Sequence, residues 1–136
     1  PAPPAAVSKS DVETIARPWI GTPYRYGGYD RGGIDCSALS QNILGDLGAT
    51  LPRTAESQSM QGWPVGAGGL EAGDLVFFRL GSSRVNHVGV MLDRTRFVHA
   101  SSSRGVVIDR LMDKYFARNF AGGRRILHGS ADGGSE

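Results

Sequence analysis

A single cysteine stands where a helix is predicted to begin. Cys36 is the only cysteine among 136 residues and directly follows Asp35, a residue type that favours the N-cap position. Free backbone N–H groups and the positive end of the helix dipole would then face the sulfur and favour the nucleophilic thiolate. A helix terminus contributes about 1 kcal/mol, so we expect a histidinium to assist. A lone cysteine is otherwise usually a small buried hydrophobic residue, and its partners decide between the two interpretations.

Two of the three histidines flank a predicted turn centred on Asp93. A hairpin folded about Asp93 would place His87 directly opposite His99, with Cβ atoms about 5 Å apart, although a bulge would shift this register. One imidazole could then accept the thiol proton while the other orients it. Each histidine alone is more often structural, but together with the thiol they indicate a catalytic site. His128 follows the last predicted strand and receives no role.

Composition excludes several other classes of protein. Hydrophobic residues make up 40% and charged residues 21% of the chain, as in an ordinary single globular domain. The net charge of +2, with scattered basic residues, gives little support to nucleic-acid binding. No apolar run approaches the roughly 18 residues of a membrane span. One cysteine forms neither an internal disulfide nor a zinc site of several thiolates, and we expect no metal or other cofactor.

Helical patterns dominate the first half of the domain. Ser10 and Glu13 have the spacing of a capping box, and Pro18 should end or kink the helix that follows. A second helix is predicted over 36–47, with leucine and isoleucine side chains four residues apart on one face. Thr54 is the possible cap of a short helical turn.

Strand patterns dominate the second half. Short β-branched and aromatic runs alternate with turn residues, and a short helix and a last strand follow. The four predicted strands span 74–80, 85–92, 96–100 and 105–111, the short helix 113–120 and the last strand 124–127. Helices first and strands later predict an α+β fold with an antiparallel sheet.

The two ends of the sequence differ in composition from the centre. Residues 1–9 are rich in proline and alanine and are predicted to be a linker or tether. Residues 129–136 are small, polar and glycine-rich and are predicted to be a flexible tail, which leaves 10–128 as the domain. Because the sequence begins with Pro1, we expect a processed chain whose export signal lies outside it.

Five segments occur here in one order: PYRYGGYDRGGIDCSALSQNIL, LPRTAESQ, AGDLVFFR, NHVGVML and FVHASSSRGVVI. Together they resemble the NlpC/P60 family of bacterial cell-wall cysteine peptidases, which has a papain-like fold. The resemblance runs from about Val12 to Leu127. It is closest to the short, single-domain lipoprotein members, which are murein endopeptidases of the Gram-negative envelope. It implies N-terminal helices, with the nucleophile at a helix N-terminus, packed on an antiparallel sheet.

The resemblance also implies catalytic roles for four residues. Cys36 matches the nucleophile, His87 the general base, and His99 the third polar residue that orients the base. Tyr24 matches a tyrosine whose hydroxyl helps to form the oxyanion site, although aromatic packing in a glycine-rich loop would also account for it.

Four further residues match positions that border or bind the substrate in relatives. Asp35 and Ser37 flank the nucleophile where relatives bind the substrate peptide, and Arg53 and Thr54 match a loop beside the cleft. Asp35 could alternatively serve only as an N-cap, and Arg53 only as a solvated charge. Relatives commonly carry Ser-Gly and an aromatic residue after the nucleophile, whereas Ser37 is here followed by Ala38 and a leucine.

The resemblance predicts a peptidoglycan endopeptidase that cuts within the stem peptide or at the cross-link. Its partners would be peptidoglycan stem peptides, without nucleic acid, and it would act as a monomer. Its location would be the cell envelope or periplasm, with a lipid anchor or membrane tether before residue 1 as an outer-membrane lipoprotein has. The alternatives are a thiol acyltransferase or amidase on the same scaffold, or a non-catalytic wall-binding module.

Overall fold

A computed structural model describes residues 3–127. The α-helices in this range are α1 (Lys9–Ala16), α2 (Cys36–Asp46), α3 (Ala55–Gln58) and α4 (Lys114–Asn119). Short 3-10 helices span Arg17–Trp19 and Ala67–Gly69. The strands are β1 (Tyr29–Asp30), β2 (Gly33–Ile34), β3 (Trp63–Val65), β4 (Leu75–Phe78), β5 (His87–Met91), β6 (Arg96–Ser101), β7 (Gly105–Arg110) and β8 (Phe120–Arg125).

An antiparallel sheet of six strands supports the molecule. Its strand order is β3-β8-β4-β5-β6-β7, and β1 and β2 form a separate two-stranded ribbon. Helix α2 packs against β5 and β6, the two strands that carry the histidines. The α+β architecture predicted from the sequence is therefore confirmed, with the helical half packed on the sheet.

Hydrophobic residues cover both faces of the sheet. Along β4, Leu75 and Phe77 belong to the larger cluster, while Val76 and Phe78 belong to a second cluster on the opposite face. This arrangement explains why β4 is apolar at successive positions rather than at alternate ones. The larger cluster contains the buried hydrophobic residues of α1 and α2, so it fixes α2 against the central strands.

The first helix starts earlier than the predicted capping box. Helix α1 has Ser8 at its N-cap, without a side-chain cap bond, and the Ser10 hydroxyl instead lies 2.9 Å from the Ser8 hydroxyl. Glu13 pairs with Arg17 one turn later rather than reaching back to a cap. Pro18 lies in the 3-10 turn that follows α1, as expected of a residue that cannot continue an α-helix.

Four strands differ from the sequence prediction. β8 spans Phe120–Arg125 instead of 124–127, and its glycines leave little β signal in the sequence. Gly123 is needed there, because a Cβ atom would lie 2.9 Å from the backbone carbonyl oxygen of Val65 on the neighbouring strand. The two residues of each ribbon strand are too few to produce a periodic pattern, and β3 includes a proline, which is tolerated at this sheet edge.

A buried ion pair ties the N-terminal segment to the sheet. Arg125 on β8 pairs with Asp74 at 2.7 Å and also donates to the carbonyl oxygen of Pro4. Part of the predicted 1–9 linker therefore contacts the domain, and the predicted tail at 129–136 and His128 lie outside the described residues. No helix within residues 3–127 is long and apolar enough to cross a membrane.

Candidate active site

The predicted N-cap places Cys36 at the start of α2. Asp35 accepts a hydrogen bond from the backbone N–H of Ala38 at 2.9 Å, which is the capping bond expected from the sequence. A second Asp35 oxygen accepts from the N–H of Gly27 in the glycine-rich loop. Cys36 is free and partly buried, and it follows directly on β2 and the cap.

The thiol of Cys36 is neutral in the free domain. Burial, assisted by the nearby Asp35 charge, raises the pKa of Cys36 to about 11, although backbone N–H groups of Val88, Ser37 and Cys36 itself act in the opposite direction. Burial also lowers the pKa of His87 to about 3, so this imidazole is uncharged at neutral pH. The prediction of a thiolate beside a histidinium was therefore wrong for the free domain. The cost of desolvating a charge exceeds the modest gain from a helix terminus.

The two histidines meet, but in a different register from the predicted one. β5 and β6 pair Val90 with Val98, and continuing this register places Gly89 rather than His87 opposite His99. The side chains still reach each other diagonally, and His87 Nε2 lies 2.8 Å from His99 Nδ1.

The turn between these strands explains the shift. Leu92 donates its N–H to the carbonyl of Arg96, which closes a three-residue loop centred on Arg94 rather than Asp93. The Asp93 carboxylate accepts from the N–H groups of Thr95 and Arg96 and so holds this loop. Moving the loop centre by one residue shifts the pairing of the two strands by two residues. Because side chains alternate between the faces of a sheet with a period of two, His87 and His99 stay on one face.

A carboxylate that the sequence analysis missed completes the hydrogen-bonded series. Asp109 Oδ2 lies 2.7 Å from His99 Nε2, and Arg104 pairs with the same carboxylate at 2.7 Å. The β6–β7 register pairs His99 with Val107, so Asp109 lies diagonally from His99 on the same face. The signal available in the sequence was an acidic residue inside the otherwise apolar run GVVID, after a turn that contains serines and Arg104.

One cleft brings the thiol, the histidines and the tyrosine together. Its volume is about 720 Å³, and Tyr24, Cys36, His87 and His99 all line it. Asp109 lies in the same lining. Among residues 3–127 no group of three or more histidine, cysteine or acidic side chains is placed to hold a metal ion.

The glycine-rich loop positions Tyr24 beside the nucleophile. Tyr24 forms a β-bridge with Ile34, the residue two before Cys36 in the chain, and Pro23 accepts the Ile34 N–H. Burial, the nearby Cys36 and Asp35 raise the pKa of the Tyr24 hydroxyl, which therefore stays protonated at neutral pH. A protonated hydroxyl at this position can donate a hydrogen bond to a substrate oxygen.

Three of the four predicted substrate-binding residues form one network. Arg53 binds the Asp35 carboxylate through both terminal nitrogens, at 3.0 and 2.7 Å, and also donates to the Ser37 hydroxyl at 2.6 Å. These bonds, with the cap bond, lower the pKa of Asp35. Thr54 does not join the network, because it caps α3 by accepting the N–H of Ser57.

The family assignment follows from sequence comparison. The sequence profile of the NlpC/P60 family matches residues 21–125, which include the whole cleft. The chain belongs to the NlpC/P60 family. The membership confirms the resemblance noted in the sequence.

Relatives within the NlpC/P60 family carry endopeptidase names. The probable endopeptidase NlpC homolog of Haemophilus influenzae is 40% identical over 124 residues, which cover 90% of this chain and 66% of that protein. The murein DD-endopeptidase MepS/murein LD-carboxypeptidase of Escherichia coli K12 is 40% identical over 120 residues, or 88% of this chain and 63% of that protein. The chain thus spans slightly less than two thirds of the length of these two relatives.

Solved NlpC/P60 structures share the fold. A family member from Bacillus cereus superposes with a TM-score of 0.82 at 30% identity. The aligned region covers 90% of this chain and 41% of the Bacillus cereus chain. A lipoprotein-like NLP/P60 protein from Staphylococcus aureus gives a TM-score of 0.80 at 31% identity, over 92% of this chain and 44% of its own. The papain-like fold predicted from the resemblance is therefore confirmed.

Proposed function

We propose that this domain hydrolyses an amide bond of peptidoglycan, in a stem peptide or in the cross-link between stems. The observation that carries the proposal is the shared cleft, in which a thiol at a helix N-terminus lies with an imidazole whose second nitrogen is already hydrogen-bonded. Relatives named as murein and probable endopeptidases support peptidoglycan as the substrate.

The first half of the proposed reaction forms a tetrahedral intermediate. His87 accepts the thiol proton at Nδ1 as Cys36 Sγ attacks the amide carbon, since its Nε2 is occupied by His99. The carbonyl π electrons move to oxygen, and this oxyanion accepts hydrogen bonds from the Cys36 N–H and the Tyr24 hydroxyl. The Cys36 N–H is available because the first N–H groups of a helix have no partner inside it.

The second half releases the products. Protonated His87 donates its proton to the leaving amine as the C–N bond breaks and the acyl group remains on sulfur. Water then gives a proton to His87 as its oxygen attacks the thioester carbon. The C–S bond breaks and His87 returns the proton to sulfur, which releases a carboxylic acid and restores the thiol. Because His87 is uncharged at neutral pH, one of its ring nitrogens carries a lone pair that can accept the thiol proton.

The Asp35–Ser37–Arg53 network is proposed to bind the substrate peptide beside the nucleophile. Its polar groups stand at the start of α2, where Asp35 is half-buried and Arg53 is exposed. An ionised Asp35 can accept hydrogen bonds from peptide N–H or amine groups, and Arg53 can donate to a carbonyl or carboxylate. Thr54 contributes indirectly, by capping the short helix that follows Arg53.

The proposed substrate implies an exported protein. We propose a monomer located in the cell envelope or periplasm, with 10–128 as the peptidase domain and 129–136 as a tail. Residues 1–9 would serve as the tether to an anchor, such as a lipid, before residue 1.

The test is digestion of purified peptidoglycan with the wild-type domain and with Cys36→Ala, followed by mass spectrometry of the released fragments. New peptide termini formed only by the wild type would support the proposal and identify the bond that is cut. Intact stems under both proteins, with Cys36 still alkylated in the wild type, would refute it in favour of acyl transfer or amidase activity on another substrate. Binding to peptidoglycan without cleavage and without alkylation would favour a wall-binding module.

A further inference from the structure

We infer that Asp109, held by Arg104, is a positioning residue that sets the ring tautomers of both histidines and leaves Nδ1 of His87 free to accept the thiol proton. The catalytic consequence rests on the proposed function. The tautomer assignment itself depends on the hydrogen bonds between these four side chains and on the burial that keeps both rings neutral.

Asp109 can only accept hydrogen bonds in this position. Arg104 contacts both of its oxygens, at 3.3 and 2.7 Å, and the bonds from Arg104 and His99 hold the pKa of Asp109 below its ordinary value. An ionised carboxylate has no proton to donate. The 2.7 Å contact with His99 therefore requires the proton to be on His99 Nε2.

This proton determines the rest of the series. His99 is 2% exposed, and burial, together with the Arg104 charge, lowers its pKa despite the contact with Asp109, so the ring is neutral and carries one proton. With Nε2 protonated, His99 Nδ1 is an acceptor. The 2.8 Å contact then requires the proton of neutral His87 to be on Nε2, which leaves His87 Nδ1 with a free lone pair.

Without the carboxylate, two neutral arrangements of the histidine pair would satisfy the same 2.8 Å contact. In the second arrangement His99 Nδ1 donates to His87 Nε2, and His87 carries its proton on Nδ1. That tautomer has no lone pair for the thiol proton at the required nitrogen. Asp109 excludes the second arrangement, because the unprotonated Nε2 of His99 would then face a carboxylate with no proton between them. Arg104 keeps that carboxylate charged and in place.

The tautomers can be read directly by nitrogen-15 NMR of the imidazole rings at neutral pH. The chain has three histidines, so six ring nitrogens are assigned by histidine substitutions. We expect Nε2 to be protonated and Nδ1 unprotonated in both His87 and His99 of the wild type. A proton on Nδ1 of His87 in the wild type would overturn the inference, and this readout needs neither a substrate nor a variant of Asp109.

Variants test the catalytic consequence. Asp109→Asn should populate both tautomers and lower kcat by about 10- to 100-fold with little change in KM, since an amide can donate or accept. Asp109→Glu should restore the wild-type tautomer and part of kcat, and Arg104→Gln should give a smaller loss. Glu71→Gln, which removes the exposed Arg94–Glu71 pair, is the matched control and should change neither quantity.

Two outcomes would overturn the inference in the variants: an unchanged tautomer in Asp109→Asn, or an altered tautomer with unchanged kcat. If Asp109→Asn fails to fold by circular dichroism, Arg104→Gln gives the perturbed member of the comparison and Asp109→Glu the conservative one, and equal tautomers and kcat in the two would overturn the inference. If the wild type shows the expected tautomers but does not cleave peptidoglycan, the proposed substrate fails while the positioning of the histidines stands.

Discussion

His87 Nε2 lies 2.8 Å from His99 Nδ1 although the two residues are diagonal, not opposite, in their hairpin. Gly89 occupies the position opposite His99. A Cβ atom at Gly89 would lie 2.6 Å from Phe97 Cδ2 and 3.3 Å from His99 Cβ. Because residue 89 is a glycine, it leaves the space in which the Phe97 and His99 side chains of β6 pack.

Gly89→Ala should disturb both stability and the histidine pair. The added methyl group must displace the Phe97 ring or the Val98 carbonyl oxygen, which lies 3.1 Å away, so we expect a loss of about 1–3 kcal/mol in the free energy of unfolding. The rate of peptidoglycan cleavage should fall as well. Urea unfolding and a cleavage assay measure the two effects.

Gly45→Ala is the matched control. Gly45 lies in α2, and beyond the adjoining helix backbone nothing lies within 4 Å of the place that a Cβ atom would take. The substitution should be neutral or stabilise the domain by about 0.5–1 kcal/mol. Equal effects of the two substitutions would show that Gly89 is not needed for packing.

His99→Phe should separate the chemistry of His99 from its packing. The His99 ring contacts the rings of Phe97 and Phe116, with centroids 4.6 and 5.2 Å apart, so a phenyl ring can fill the same space. The substitution removes both ring nitrogens and leaves His87 Nε2 without its acceptor, and kcat should fall by at least about 100-fold. Asp109 retains Arg104 as its partner.

The measurement is kcat on purified peptidoglycan fragments, with circular dichroism to verify the fold of His99→Phe. A folded variant with wild-type kcat would show that His87 needs no second polar group.

The pH dependence of Cys36 alkylation tests the resting protonation state. A thiol is neutral below its pKa, and burial raises the pKa of Cys36 from the ordinary 9.0 to about 11. The rate with iodoacetamide should therefore keep rising through neutral pH and reach half of its maximum near pH 11. Because Cys36 is the only cysteine, the reaction reports on one site. A rate that levels off below neutral pH would instead show a preformed thiolate–imidazolium pair.

The local features of the site were largely predictable from the sequence. The cap at Asp35, the start of α2 at Cys36 and the cap at Thr54 each depend on a few neighbouring residues, and all three are confirmed. The common face of His87 and His99 also follows from the two-residue period of strands.

Features that depend on distant residues were not predictable in the same way. The register of β5 and β6 is set by a three-residue loop centred on Arg94. A hairpin assumed to fold about Asp93 places the centre of this loop one residue too early. The pKa of Cys36 depends on how strongly the folded protein buries the thiol, which no neighbouring residue reveals. The contact of Asp109 with His99 was not predictable from neighbouring residues, because it depends on the pairing of β7 with β6.

Substitutions at Asp35 should separate its capping role from its proposed role in substrate binding. Asparagine caps helices about as well as aspartate, so Asp35→Asn should keep the Ala38 cap bond, whereas Asp35→Ala should cost about 1 kcal/mol in the free energy of unfolding. Both variants remove the carboxylate that holds Arg53 at 2.7 Å, so both should raise KM for peptidoglycan fragments.

Arg53→Gln completes the comparison. Its side chain is 43% exposed and its ion pair adds little stability, so the free energy of unfolding should change by less than about 1 kcal/mol. KM should rise as it does in Asp35→Asn, because either substitution breaks the same network. If Asp35→Ala lost stability while all three variants kept the wild-type KM, Asp35 would be an N-cap alone and the proposed substrate-binding network would be wrong.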